Sequence, residues 1–183
     1  MKKVPISGTN HIALTDEEIK HFDTNYKMNP PLRSEEHRKA LINGLKDGTI
    51  TVIATDHAPH TETEKLVEFD YAPFGIIGLE TALPVCLTEL YHKKFLTLSE
   101  LISKFTVGPA EVLGLQTGLA EGANADITIF DPELKHKILA ASFYSKSRNT
   151  PFDGCEVRGK AMATIVDGKF VYSLLNGIKG MIN

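Results

Sequence analysis

The sequence predicts an α/β chain that becomes all-β in its last third, and two observations carry that prediction. First, a helical pattern, SEEHRKALINGLKDG, runs straight into the β-branched apolar stretch TITVIAT at residues 49–55. A run of this kind without polar alternation reads as a strand buried on both faces, as in parallel sheets, and a helix feeding such a strand is half of a βα repeat. Second, beyond Gly118 the pattern changes to short strands, ADITIFD, KHKILAAS and EVRGKAMATIVDGKFVYS. A boundary is therefore expected there, dividing the chain into residues 1–117 and 118–183.

Each element follows from local signals. Residues 1–14 hold Pro5, Gly8 and Asn10 within an apolar stretch and predict at most a weak strand. Thr15 followed by Glu18 has the capping-box spacing and predicts a helix start in TDEEIKHF. Asn29-Pro30-Pro31 cannot continue a helix, so the surrounding segment is an extended loop. Ser34 is placed to cap the next helix, with Glu35 and Glu36 in its first turn, Lys46 in its last and Gly48 as the stop. Residues 57–75 are a loop. Gly75-Ile76-Ile77-Gly78 is expected to open a long apolar helix that reaches Tyr91 and bends at Pro84. Another helix follows Thr97, with Ser99 a candidate cap, and a short one covers Pro109 to Leu115. Asp167-Gly168 between two alternating runs signals a type I′ hairpin.

Composition excludes some functions. The net charge of -3 attracts neither nucleic acid nor an anionic membrane surface. No stretch approaches the ~20 apolar residues of a membrane span. The first residues, MKKVPISGTN, lack the apolar segment of a signal peptide. Cys86 and Cys155 have no C-x-x-C spacing and read as reduced thiols. A cytoplasmic chain acting on a small molecule is expected.

The stretch IATDHAPHTETEK holds the chemistry. Asp56 falls at the C-terminal end of a parallel strand, where α/β folds bind ligands. A carboxylate there can ligate Zn²⁺ at about 2.0–2.2 Å and hold the proton of a metal-bound water. The competing reading is an ordinary turn aspartate. His57 reads as a loop histidine with a backbone or solvent partner. His60 could reach an anionic substrate or simply be solvated. Asn29 and Arg33 flank the rigid Pro-Pro, which presents a side-chain amide at a fixed place. Phe74 and Gly75 precede the expected helix start, where backbone N–H groups can receive a carboxylate. His21, His37, His92 and His136 read as surface residues. There is no G-x-S-x-G, Walker or G-x-G-x-x-G motif.

Taken together, YKMNPPLRSEEHRKAL, GTITVIATDHAPHT, APFGIIGLETALPV, GANADITIFDPE and NTPFDG resemble, in order, the C-terminal part of the dihydroorotases of the amidohydrolase superfamily. The resemblance covers roughly residues 10–172. It implies the C-terminal portion of a (β/α)8 barrel, with its last two βα units and following helices, plus a small β-sandwich. It implies zinc-dependent interconversion of dihydroorotate and N-carbamoyl-aspartate in pyrimidine synthesis. Asp56 matches the aspartate that ligates the metal and shuttles the proton. His60 matches a substrate-contacting histidine, Asn29 an asparagine bonded to the ring, and Phe74 and Gly75 a pair whose backbone holds the substrate.

The chain also departs from the family pattern. No H-x-H occurs, the bridging carboxylate or carboxylated lysine and two later histidine ligands have no counterpart, and Thr9-Asn10-His11 stands where the family has two adjacent histidines. The isolated chain is therefore expected to be inactive, with an exposed apolar face. It is expected to associate with itself, with a missing N-terminal half, or with aspartate transcarbamoylase. The alternatives are a dihydropyrimidinase-, hydantoinase- or allantoinase-like hydrolase, and a non-catalytic subunit of an assembly.

Overall fold

The computed structural model describes residues 6–175. β1 (Ile6–Gly8) lies parallel to β2 (Val52–Ala54), with Ile6 opposite Val52 and Gly8 opposite Ala54. Between them run α1 (Thr9–Ala13) and α2 (Glu35–Lys46). Val52 and Ile53 are both buried although they point to opposite faces, as the apolar run predicts. α2 turns Ile42 and Leu45 inward, three residues apart on one face, onto Ile12, Ile53, Leu87 and Leu90. Arg38, paired with Glu35 at 2.6 Å, also donates to the Ile12 carbonyl and so ties α2 to α1.

After β2 come α3 (Glu62–Lys65), α4 (Ala82–Cys86), a wide π-helical turn at Leu87–Tyr91, α5 (Leu98–Phe105) and α6 (Val107–Leu113). β3 (Ile127–Lys137), β4 (Glu156–Val166) and β5 (Lys169–Ser173) form an antiparallel meander. Its last turn has Asp167 at φ 49° and Gly168 at φ 75°, the pair of positive angles a type I′ hairpin requires. The meander sits on α4: Val157 and Ile138 pack with Val85 and Phe152. The described residues thus hold one parallel strand pair and one three-stranded sheet. Closing a barrel, or adding a second sandwich layer, needs strands beyond them.

Several local expectations are corrected. The helix expected from Gly75 begins only at Ala82. Backbone groups of the 75–77 segment are committed elsewhere: Gly75 N–H to Lys27, Ile76 O to Ala58 N–H, and Ile77 N–H to Asn149. Pro84 lies in the first turn of α4, where its missing N–H costs little. The helix expected from Thr15 is one 3₁₀ turn, Asp16–Glu18, although its capping box forms. Thr97, not Ser99, caps α5, through a capping box with Glu100. The two strands expected in 125–142 merge into β3, which bulges between Asp131 and Lys135. His92 and His136 are half-buried rather than on the surface. His92 bonds the Pro132 carbonyl at 2.8 Å, and burial holds the His136 imidazole below its usual pKa.

Candidate functional site

β2 delivers Asp56 to its C-terminal end, and the chain leaves the strand there at φ 48°, in the left-handed region that aspartate tolerates better than most residues. The Asp56 carboxylate is exposed. It lines a groove of about 670 Å³ with Asn10, His11, Pro30, Arg33 and Arg38, over an apolar floor that includes Met28 and Leu41. His11 Nε2–H donates to the Pro30 carbonyl at 3.0 Å. Asn10 is 1% exposed, and its Oδ1 has no partner among the described residues. With Arg38 held by Glu35 and the Ile12 carbonyl, the exposed Arg33 guanidinium is the group of this groove that suits an anionic ligand.

A second cluster joins His60, Phe74 and Gly75. His60 Nε2–H donates to the Phe74 carbonyl at 2.9 Å, and its Nδ1 faces the Glu64 carboxylate at 3.7 Å. The Thr61 amide, more than His60, holds that carboxyl below the usual range. Gly75 has φ +145°, and a Cβ there would lie 2.7 Å from Ala58 Cβ. Only glycine lets the two loops approach this closely. The Gly75 N–H is taken by the Lys27 carbonyl, and Lys27 Nζ sits 4.8 Å from the centre of the Phe74 ring.

The loop of residues 27–31 connects the two clusters. Lys27 holds Gly75, while Met28, Pro30 and Pro31 line the Asp56 groove. Asn29 lies between them and is exposed. Asp56 itself makes no hydrogen bond to the His60 cluster among the described residues. His57 has the backbone partners expected of it: Nδ1 accepts from the amides of Gly78 at 3.1 Å and Leu79 at 3.4 Å, which places the proton of the neutral ring on Nε2.

Sequence reasoning missed two residues. Asn149 bridges the His60 and Gly75 loops, and Lys65 seats the end of the loop before Phe74. Neither stands out in sequence, because each acts through partners far along the chain. Phe74 and Gly75 do not precede a helix, so the helix-end carboxylate site expected at this position is not formed.

A zinc centre takes about three or four protein ligands. No group of three His, Cys, Asp or Glu side chains that could hold a metal occurs among the described residues. Asp56 has beside it an amide oxygen, Asn10 Oδ1, and His11, whose Nε2 is engaged by Pro30. This donor set does not fit a complete zinc site.

A parallel strand pair with a carboxylate at its C-terminal end, set among helices, places this part of the chain in the α/β class, where ligands bind at strand ends. The chain belongs to the amidohydrolase family, whose model matches residues 4–171. It is 52% identical over 166 residues to the dihydroorotase of Desulforapulum autotrophicum, covering 91% of this chain and 39% of that protein. It is 54% identical over 164 residues to the dihydroorotase of a Geobacillus species, covering 89% of this chain and 38% of the relative. Among solved structures it resembles the L-hydantoinase (dihydropyrimidinase) of Arthrobacter aurescens, at TM-score 0.86 and 31% identity, over 92% of this chain and 39% of that one. The chain therefore spans well under half the length of these relatives.

Proposed function

We propose that this chain supplies the Asp56-bearing part of a dihydroorotase, which interconverts dihydroorotate and N-carbamoyl-aspartate. The observation that carries the reading is the 52–54% identity to dihydroorotases over about nine-tenths of the chain. In hydrolysis, water adds to the ring amide carbonyl, Asp56 takes a proton from it, and the same proton passes to the amide nitrogen as the C–N bond breaks. Asp56 is exposed and free of hydrogen bonds within the described residues, so its oxygens are available for that transfer. Arg33 and His60 suit the substrate carboxylate, Asn29 the ring, and Phe74 and Gly75 the far wall. Asp56 is also the carboxylate that would face Zn²⁺, with the remaining ligands coming from beyond the described residues.

Association follows from the same reading. Leu66, Tyr71, Leu79, Leu113, Leu115 and Leu119 are each more than 60% exposed. We propose that the rest of the hydrolase or a second copy covers part of this surface. Among the described residues no helix is long and apolar enough to cross a membrane, and we propose a cytoplasmic location.

The test is turnover by the protein purified from its source cells, with its intact mass measured. Dihydroorotate should be hydrolysed in preference to dihydrouracil, and Asp56→Asn should lower kcat by about 10³-fold. Preference for dihydrouracil would favour the second reading, a hydantoinase-like hydrolase, which the L-hydantoinase likeness supports. A native protein as short as this chain, inactive and held by a stable partner, would favour a non-catalytic subunit. That third reading draws on the incomplete metal donor set.

A further inference from the structure

Asn149 lies in the stretch NTPFDG, 89 residues downstream of His60, and is 4% exposed. Its Oδ1 accepts the His60 N–H at 3.2 Å. Its Nδ2 donates to the carbonyls of Ala58 at 2.9 Å and Gly75 at 3.0 Å. Its own carbonyl accepts the Ile77 N–H at 3.1 Å. A side-chain amide has two N–H donors and one oxygen, and here both donors and the oxygen are used. Two carbonyls on one side and an N–H on the other leave only one orientation of the amide that satisfies every partner.

All of these partners lie on the two loops that carry His60 and Gly75. The backbone ladder between those loops is short, a single parallel bridge between His57 and Ile76. The His60 ring reaches across to the Phe74 carbonyl, so its direction depends on the spacing of the loops. Beside the His57 ring, which accepts from the Gly78 and Leu79 amides, that spacing is held from a third segment by the buried Asn149 side chain.

We propose that Asn149 is a positioning residue: it holds the His60 loop and the Gly75 segment at the separation that aims His60 and Phe74 at the substrate. The inference rests on reading His60, Phe74 and Gly75 as substrate contacts. Asn149 touches no substrate itself and acts through the loops. An apolar replacement leaves two carbonyls and an amide without partners, while aspartate keeps the acceptor and loses both donors.

The experiment uses the full-length protein that contains this chain, read by amide hydrogen exchange and by the ring Cε1–H signals of its histidines. In Asn149→Ala, the His60 amide should exchange about tenfold faster, equivalent to about 1.4 kcal/mol. The His60 ring signal should move, while the His37 ring and the amides of the β4–β5 hairpin stay unchanged. In Asn149→Asp, the His60 amide should remain slower than in the alanine variant, while the ring signal still moves. An unmoved His60 ring and amide in Asn149→Ala would overturn the proposal. So would loss of protection throughout the hairpin in both variants, which marks a merely structural role. Dihydroorotate added to the full-length wild-type protein tests the underlying reading separately. If it leaves the His60 ring signal in place, the substrate assignment fails while the loop result stands.

Discussion

Lys65 Nζ donates to the Pro73 carbonyl at 2.9 Å and to the Thr24 carbonyl at 2.9 Å, from a side chain that is almost wholly buried. It closes the loop that ends in Phe74 and Gly75 onto the segment that leads to Asn29. Burial, and then the neighbouring Lys27 charge, pulls the ammonium down to about 8. A neutral amine still offers two N–H groups, enough for both carbonyls.

The pH dependence follows from that lowered value. Below about pH 8 the folded chain carries a desolvated charge at Lys65, which costs stability. Between about 8 and the ordinary lysine value, the unfolded chain binds a proton that the folded chain does not, so this contribution to stability rises with pH. Above that window both states are neutral and the effect levels off. Thermal melts of wild type and Lys65→Met between pH 7 and about 10.5 should show the wild type gaining relative to the variant. Parallel pH profiles would refute the assignment.

Gly75→Ala should damage the site more than its size suggests. The new Cβ meets Ala58 Cβ at 2.7 Å and His60 Nε2 at 3.0 Å, at a φ of +145°. A loss of about 2 kcal/mol or more in urea unfolding is expected. The His60 ring signal should move at the same time.

Gly159 marks where the meander rests on the helices. A Cβ at this position would lie 2.2 Å from Leu87 Cδ1, and Leu87 is fully buried. Gly159→Ala should cost roughly 2 kcal/mol in urea unfolding. Paired with Leu87→Ala, it should cost less than the two single changes summed, because the space lost is returned. Additive losses would mean the two residues do not share that contact.

The thiols should behave differently. Cys86 is fully buried, and burial pushes its thiol up to about 12, whereas Cys155 is exposed. Titration with a thiol-reactive disulfide should count one reactive group in the folded chain and two after denaturation. Fast reaction of both in the folded chain would mean that the region around Cys86 opens readily.

The sequence by itself determined α2, the strand before Asp56, the place of Asp56 and the last hairpin turn. The apolar run before Asp56 read as a two-faced strand, the charge pattern of residues 34–48 set α2, and Asp167-Gly168 specified its turn. These features depend on neighbours a few residues away, so a linear reading finds them. The structure decided what depends on distant partners. The helix foreseen at Gly75 gives way because Lys27, Ala58 and Asn149 take up the backbone of that segment. His60 turns to Phe74, and Asn149 and Lys65 become organisers of the site, through bonds that span 8 to 91 residues. Helix propensity is worth at most about 1 kcal/mol per residue for all but proline, and a buried peptide group left without a partner costs about 1–3 kcal/mol. Where the two compete, the long-range partner wins, and no local pattern records which partner that will be.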